Sequence, residues 1–79
     1  MELKLYVKMY CPFCQKVFRE IERSGRTDIE MHDIIASQED AKELVRVGGK
    51  NQVPCLFIDG EPLYESGDIV RWLQENPQH

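Results

Sequence analysis

Apolar and polar positions alternate over residues 3–7, Leu-Lys-Leu-Tyr-Val, and this period of two predicts a β-strand. The period then changes. Cys14, Val17, Phe18 and Ile21 recur at i, i+3, i+4 and i+7, one apolar stripe of a helix that Cys11-Pro12 opens and Ser24-Gly25 ends. Ile29 and Met31 share one face of a short second strand at about 28–32, and its polar remainder places it at a sheet edge. Ser37-Gln38-Glu39-Asp40 starts a second helix, with acids near the positive end of its dipole. Ala41, Leu44 and Val45 supply its expected buried face, and Gly48-Gly49 stops it. Cys55-Leu56-Phe57-Ile58 reads as a central strand, Asp59-Gly60 as a tight hairpin turn, and Glu61 to Tyr64 as the returning fourth strand. Ser66-Gly67-Asp68 precedes Ile69, Val70, Trp72 and Leu73, a capped amphipathic helix running to about Asn76 with Pro77 beyond it.

The series β-α-β-α-β-β-α calls for a parallel crossover in its first half and a hairpin in its second. A mixed four-stranded sheet with helices on both faces buries every stripe, so the expected fold class is α/β. No linker, repeat or low-complexity segment interrupts the series, and residues 1–79 are expected to form a single domain. The surface carries a net charge of -4, which gives no reason to expect nucleic acid or an anionic membrane as partner. No apolar run approaches the ~20 residues of a membrane span. The first residues are strand-like and lack a signal-peptide pattern, so a reducing, cytoplasmic compartment is expected. Three cysteines is an odd number, unlike a secreted disulfide scaffold. Zinc would need clustered ligands, whereas Cys11 and Cys14 are followed only by isolated Cys55, His32 and His79, so no metal is expected.

Cys11-Pro12-Phe13-Cys14 is the chemically informative segment. It has three possible meanings: a working dithiol, half of a metal site, or two small buried hydrophobes. Cys14 fits the last reading by itself, because it belongs to the helical stripe. Cys11 does not, because it falls at a strand-to-helix junction after Lys8, Met9 and Tyr10. Active sites favour that carboxyl end of a strand in open α/β sheets. Free N–H groups at the helix start stabilise an anion there, and Lys8 adds positive charge. A Cys11 thiolate would then be the nucleophile, with Cys14 deeper and able to resolve a mixed disulfide.

On these motifs the chain resembles the glutaredoxin family, and also the N-terminal domain of glutathione transferases, from about Leu3 to Leu73. Cys11-Pro12-Phe13-Cys14 is similar to the glutaredoxin dithiol, with phenylalanine where tyrosine is more usual. Gly48-Gly49-Lys50-Asn51-Gln52-Val53-Pro54 resembles the stretch before the family's third strand. Glu65-Ser66-Gly67-Asp68 sits where both families bind the γ-glutamyl end of glutathione. The resemblance implies a thioredoxin-like fold. It implies an exposed nucleophile at Cys11, a resolving Cys14, and a cis-proline at Pro54 that turns the Val53 backbone toward Cys11. Read without the resemblance, Pro54 is an ordinary strand start. The helix start at Ser66, Gly67 and Asp68, with Glu65, would hold the γ-glutamyl group, Ser66 acting as cap. Lys8, with Lys50 or Gln52, would meet the glycine carboxylate. Gln52 and the Glu65-Ser66 pair lie nearer the transferase pattern, but the dithiol and the lack of a following helical domain argue against conjugation.

The function so implied is glutathione-dependent reduction of protein–glutathione mixed disulfides and protein disulfides, with glutathione as co-substrate, disulfide-bearing proteins as partners, and a monomer as the working unit. One alternative is a thioredoxin-like electron carrier reduced by a flavoprotein reductase. Another is a module that binds glutathione or an iron–sulfur cluster. Tyr10 and Phe13 bracket the dithiol and are candidates to line a substrate groove, with Tyr64 near the same rim. Cys55 is expected to be a buried small side chain, Trp72 to be core, and His32 and His79 to be solvated.

Overall fold

The computed structural model describes residues 1–78; His79, expected to be solvated, lies outside the described residues. Four strands, β1 (Leu3–Val7), β2 (Ile29–Asp33), β3 (Cys55–Ile58) and β4 (Glu61–Leu63), form one sheet in the order β2-β1-β3-β4. Three helices, α1 (Pro12–Ser24), α2 (Gln38–Gly48) and α3 (Ser66–Glu75), complete the expected series. β1 runs parallel to β2, with Leu5 opposite Met31, and antiparallel to β3, with Leu5 opposite Leu56. A parallel neighbour needs a crossover, which α1 provides; β3 and β4 are antiparallel and need only a tight turn. Asp59 and Gly60 make that turn at φ 50° and 89°, both left-handed, as a two-residue hairpin loop requires.

Strand alternation sorts the interior into two layers. Leu3, Leu5, Val7 and Leu56 face α1 and α3, where they meet Cys14, Val17, Ile69 and Leu73. Tyr6, Cys55 and Phe57 point to the other face, against Leu44 of α2 and Ile34. Successive strand residues point to opposite sides, so a central sheet of this kind must be covered twice. Trp72 packs against the first layer, as expected of a core residue. Cys14 and Cys55 therefore lie in different cores, on opposite faces of the sheet.

Local differences from the expected pattern have physical causes. Ala41, Leu44 and Gly48 form the i, i+3, i+7 line of α2 nearest the sheet. Val45 stands about 100° round the helix from Leu44 and is 44% exposed rather than buried. Ile29 packs against the core, whereas Met31, two residues further along the edge strand, is 46% exposed. His32 is not solvated. Its ring stacks on Tyr6 with centroids 4.6 Å apart, and Nδ1 lies 3.0 Å from Asp40 Oδ1. Nε2 comes within 3.1 Å of Glu30 Oε2, but out of line for a hydrogen bond, and has no hydrogen-bond partner among the described residues. Asp40 reaches His32 from the first turn of α2, so this edge position is covered by a helix.

Candidate active site

The site begins where β1 stops. After Val7 the chain turns through Lys8–Cys11, closed by the Cys11 N–H donating to the Lys8 carbonyl at 3.2 Å. Gln15 Nε2 donates to the Met9 carbonyl at 2.6 Å, tying the turn to the helix that follows. Cys11 is the N-cap of α1, with extended backbone at φ -83° and ψ 124°. Pro12 follows within the first turn, where its missing N–H costs nothing. The Cys11 carbonyl then accepts the first helical bond, from Gln15 N–H at 3.0 Å. The spacing thus puts one thiol at the helix mouth and the other a turn inside.

These two positions treat sulfur differently. The Cys14 N–H and, less strongly, the Phe13 N–H face the Cys11 sulfur, and the Cys14 thiol and Lys8 reinforce them. Together they outweigh partial burial and hold the Cys11 pKa below its ordinary value. The neutral thiol makes no full capping hydrogen bond, as expected of a group that accepts well only once ionised. Cys14 is fully buried, and desolvation pushes its pKa up to about 11. Both cysteines, like Cys55, are free thiols.

Six of the nominated binding residues meet beside the dithiol. Phe13, Gln52, Val53, Pro54, Glu65 and Ser66 line one cleft of about 260 Å³. The Val53–Pro54 bond is cis, and Val53 packs against the same core layer that Cys11 touches. Gln52 Nε2 donates to Glu65 Oε1 at 3.3 Å across the cleft mouth. Glu65, not Ser66, is the N-cap of α3, with φ 68°. A non-glycine residue in that region is strained and is held there by its surroundings. Because the chain turns at Glu65, Ser66 becomes the first helical residue and is buried, so it does not cap.

The other nominees lie elsewhere. Gly67 borders a groove between α1 and α3. Asp68 is about half exposed, with Arg71 Nη1 3.9 Å away. Lys50 Nζ sits 5.3 Å over the Tyr64 ring, and Tyr64 in turn donates to the Lys50 carbonyl at 3.3 Å. Lys8 borders a second groove, of about 360 Å³, with Met9, Tyr10, Cys11, Asp33 and Ile35. Tyr10 is 98% exposed and Ile35 72% exposed there. Met9, Asp33 and Ile35 were not legible as site residues. The available signal was the Ile34-Ile35 pair just after β2: one isoleucine is buried, so its neighbour points outward beside the active loop. Among the described residues, no group of three or more His, Cys, Asp or Glu side chains is placed to hold a metal ion.

The fold recurs in solved structures. The holo form of glutaredoxin C1 from Populus tremula x tremuloides superposes with a TM-score of 0.70 at 21% identity, covering 94% of this chain and 75% of that one. The thioredoxin-like protein BC3987 gives 0.78 at 20% identity over 94% of this chain and 97% of that one. Glutathione transferase Omega 3C from Trametes versicolor gives 0.79 at 20% identity, and there the chain spans only 33% of the longer protein. No curated protein matches the sequence. The glutaredoxin family model matches residues 3–63, from β1 through the dithiol and the cis-proline to the end of β4. The chain therefore belongs to the glutaredoxin family, with a thiol–disulfide redox role.

Proposed function

We propose that this protein is a glutathione-dependent thiol–disulfide oxidoreductase that reduces protein–glutathione mixed disulfides and protein disulfides through Cys11. The observation that carries this reading is the opposed pair of thiols. Cys11 is ionised more easily than an ordinary cysteine and lies at the surface of the helix mouth. Cys14 is buried and resists ionisation up to about 11. In the monothiol route the Cys11 thiolate attacks the glutathione sulfur of a mixed disulfide. One S–S bond forms and one breaks, and the protein thiolate leaves and takes a proton. A second glutathione thiolate then attacks the Cys11 adduct, giving glutathione disulfide and free Cys11. In the dithiol route Cys14 loses its proton as it displaces the reduced partner from Cys11. The cleft lined by Phe13, Gln52, Val53, Pro54, Glu65 and Ser66 supports glutathione as reductant, because Phe13 of the dithiol segment forms one wall and Glu65 and Ser66, where α3 begins, form another.

A second reading, a thioredoxin-like carrier reduced by a flavoprotein reductase, is favoured by the mouth of the same cleft. The Gln52–Glu65 bridge lies across it, and Gly67 and Asp68 stand outside it. The mass of Cys14→Ser after exposure to oxidised glutathione separates the two. One adduct on Cys11, removed by free glutathione, is expected. No adduct, under conditions that oxidise the native dithiol, would favour the carrier.

A further inference from the structure

The outer face of α1 carries a feature the thiol chemistry does not use. Lys16, Arg19 and Arg23 follow Pro12 on the side of the helix turned away from the core residues Cys14 and Val17, and all three are exposed. From residue 12 to residue 23 this line is about 16 Å long at the α-helical rise. Two acids of α1 flank it: Glu20 is buried and already bound by Arg23 and by Gln74 Nε2 at 3.0 Å, and Glu22 is exposed and within ion-pair distance of no cation among the described residues. Lys4, Arg23, Arg26, Arg46 and Arg71 each have an acidic neighbour within ion-pair distance; among the described residues, Lys8, Lys16, Arg19, Lys42 and Lys50 have none, and of these Lys16 and Arg19 share one helix face. Lys16 Nζ lies 5.9 Å from the centre of the Phe13 ring, so the line begins at the dithiol. A groove of about 350 Å³ runs beside it, bordered by Lys16, Arg19, Arg23, Gly67, Val70 and the Arg23-paired Glu20.

In a chain with net charge -4, two unpaired cations side by side on α1 next to the nucleophile make that face complementary to acid. We infer that the outer face of α1 docks an acidic segment of the disulfide-bearing partner polypeptide, which lies along Lys16 and Arg19 while its sulfur is presented to Cys11. This deepens the proposed function and rests on it for the identity of the partner. A polypeptide suits the groove because Val70 on its border offers apolar surface beside the charges, and the Phe13 ring lies next to Lys16 at its dithiol end. Exposed charges act mainly on encounter, and that action is screened over about 8–10 Å at physiological salt.

The test uses three synthetic peptides that carry the same glutathione mixed disulfide between acidic, neutral or basic flanks. At low salt the acidic peptide is expected to be reduced with about tenfold higher kcat/KM than the basic one, a difference that shrinks as salt is added. Lys16→Glu/Arg19→Glu should reverse that order and leave the neutral peptide unchanged; Lys16→Gln/Arg19→Gln should level it. An unchanged order in the reversed variant, or an equal slowing of all three peptides, would overturn the assignment. Binding of labelled, cysteine-free versions of the peptides is measured in parallel. Charge-selective binding with no turnover of any peptide would sink the redox reading and leave the docking surface standing. Turnover without charge-selective binding or rates would do the reverse. Equal competition by a single-stranded oligonucleotide of the same charge would overturn the polypeptide as occupant.

Discussion

Cys11 and Cys55 each follow directly on a loop, Cys11 opening a helix and Cys55 opening a strand, yet the fold gives them opposite chemistry. Cys11 stands at the open mouth of α1, where two N–H groups point at the sulfur. Cys55 begins β3, between two strands and beneath α2, and no N–H at a helix mouth reaches it. Burial pushes its pKa up to about 11, and the Tyr64 hydroxyl offsets that only in part. The lesson is that composition does not make a thiol reactive. What matters is whether the backbone that presents it has spent its own donors. At a helix start the first N–H groups are unspent; at Cys55 one backbone N–H, that of Leu63, reaches the sulfur, too little to offset full burial.

The largest effect expected from this contrast is on Cys11→Ser, which should bring disulfide exchange to background in an assay with a glutathione mixed disulfide, while Cys55→Ser retains turnover. Cys14→Ser should come next: de-glutathionylation persists and reduction of protein disulfides is lost, as read by parallel assays on the two substrate types. Equal loss in both assays would end the monothiol assignment. Cys55→Ala should leave both assays intact and cost about 1 kcal/mol in denaturant unfolding, the scale of removing a small buried group.

How much of this contrast the sequence carried depends on the kind of signal. The strand and helix patterns announced all seven elements and their order, because β1 keeps period two, the doubly covered β3 is an unbroken apolar run, and α1 carries a helical stripe. The dithiol was legible because its two cysteines straddle that change of period. Which face Cys55 would take followed only once the β1–β3 register was known, since one step along a strand moves a side chain to the other side. His32 was misread for a related reason: its strand is polar and at an edge, and nothing local tells that Asp40 will close over it from α2. Ser66 was expected to cap α3, as its residue type prefers. The left-handed turn at Glu65 shifted the helix start by one residue, a tertiary choice that no propensity encodes.

Two smaller effects sharpen the Cys55 side. A Cβ on Gly48 would press into the Tyr64 hydroxyl and come within 3.2 Å of Phe57. Gly48→Ala should therefore lose about 1 kcal/mol in thermal or denaturant unfolding, despite the better helix propensity of alanine, because overpacking outweighs it. No loss would mean that Tyr64 moves aside freely and gives Cys55 little cover. The last effect is on pH dependence. Cys14 and Cys55 are raised from 9.0 to about 11 on folding, so both favour the folded state while neutral. Their contribution is whole below the unfolded value of 9.0 and is lost as pH rises through about 11. Unfolding of the reduced protein across that window should show falling stability, with a shallower slope in Cys55→Ala; an unchanged slope would remove Cys55 from the account.

The most direct measurement is the rate of alkylation of each cysteine as a function of pH, read by mass mapping of the modified peptides. Because the fold lowers the Cys11 pKa from 9.0, its thiolate fraction should rise and level off below that pH, with Cys14 and Cys55 spared until far more alkaline conditions. Cys11 titrating at or above 9.0, or Cys55 reacting before it, would contradict the claim that the mouth of α1 makes Cys11 the nucleophile.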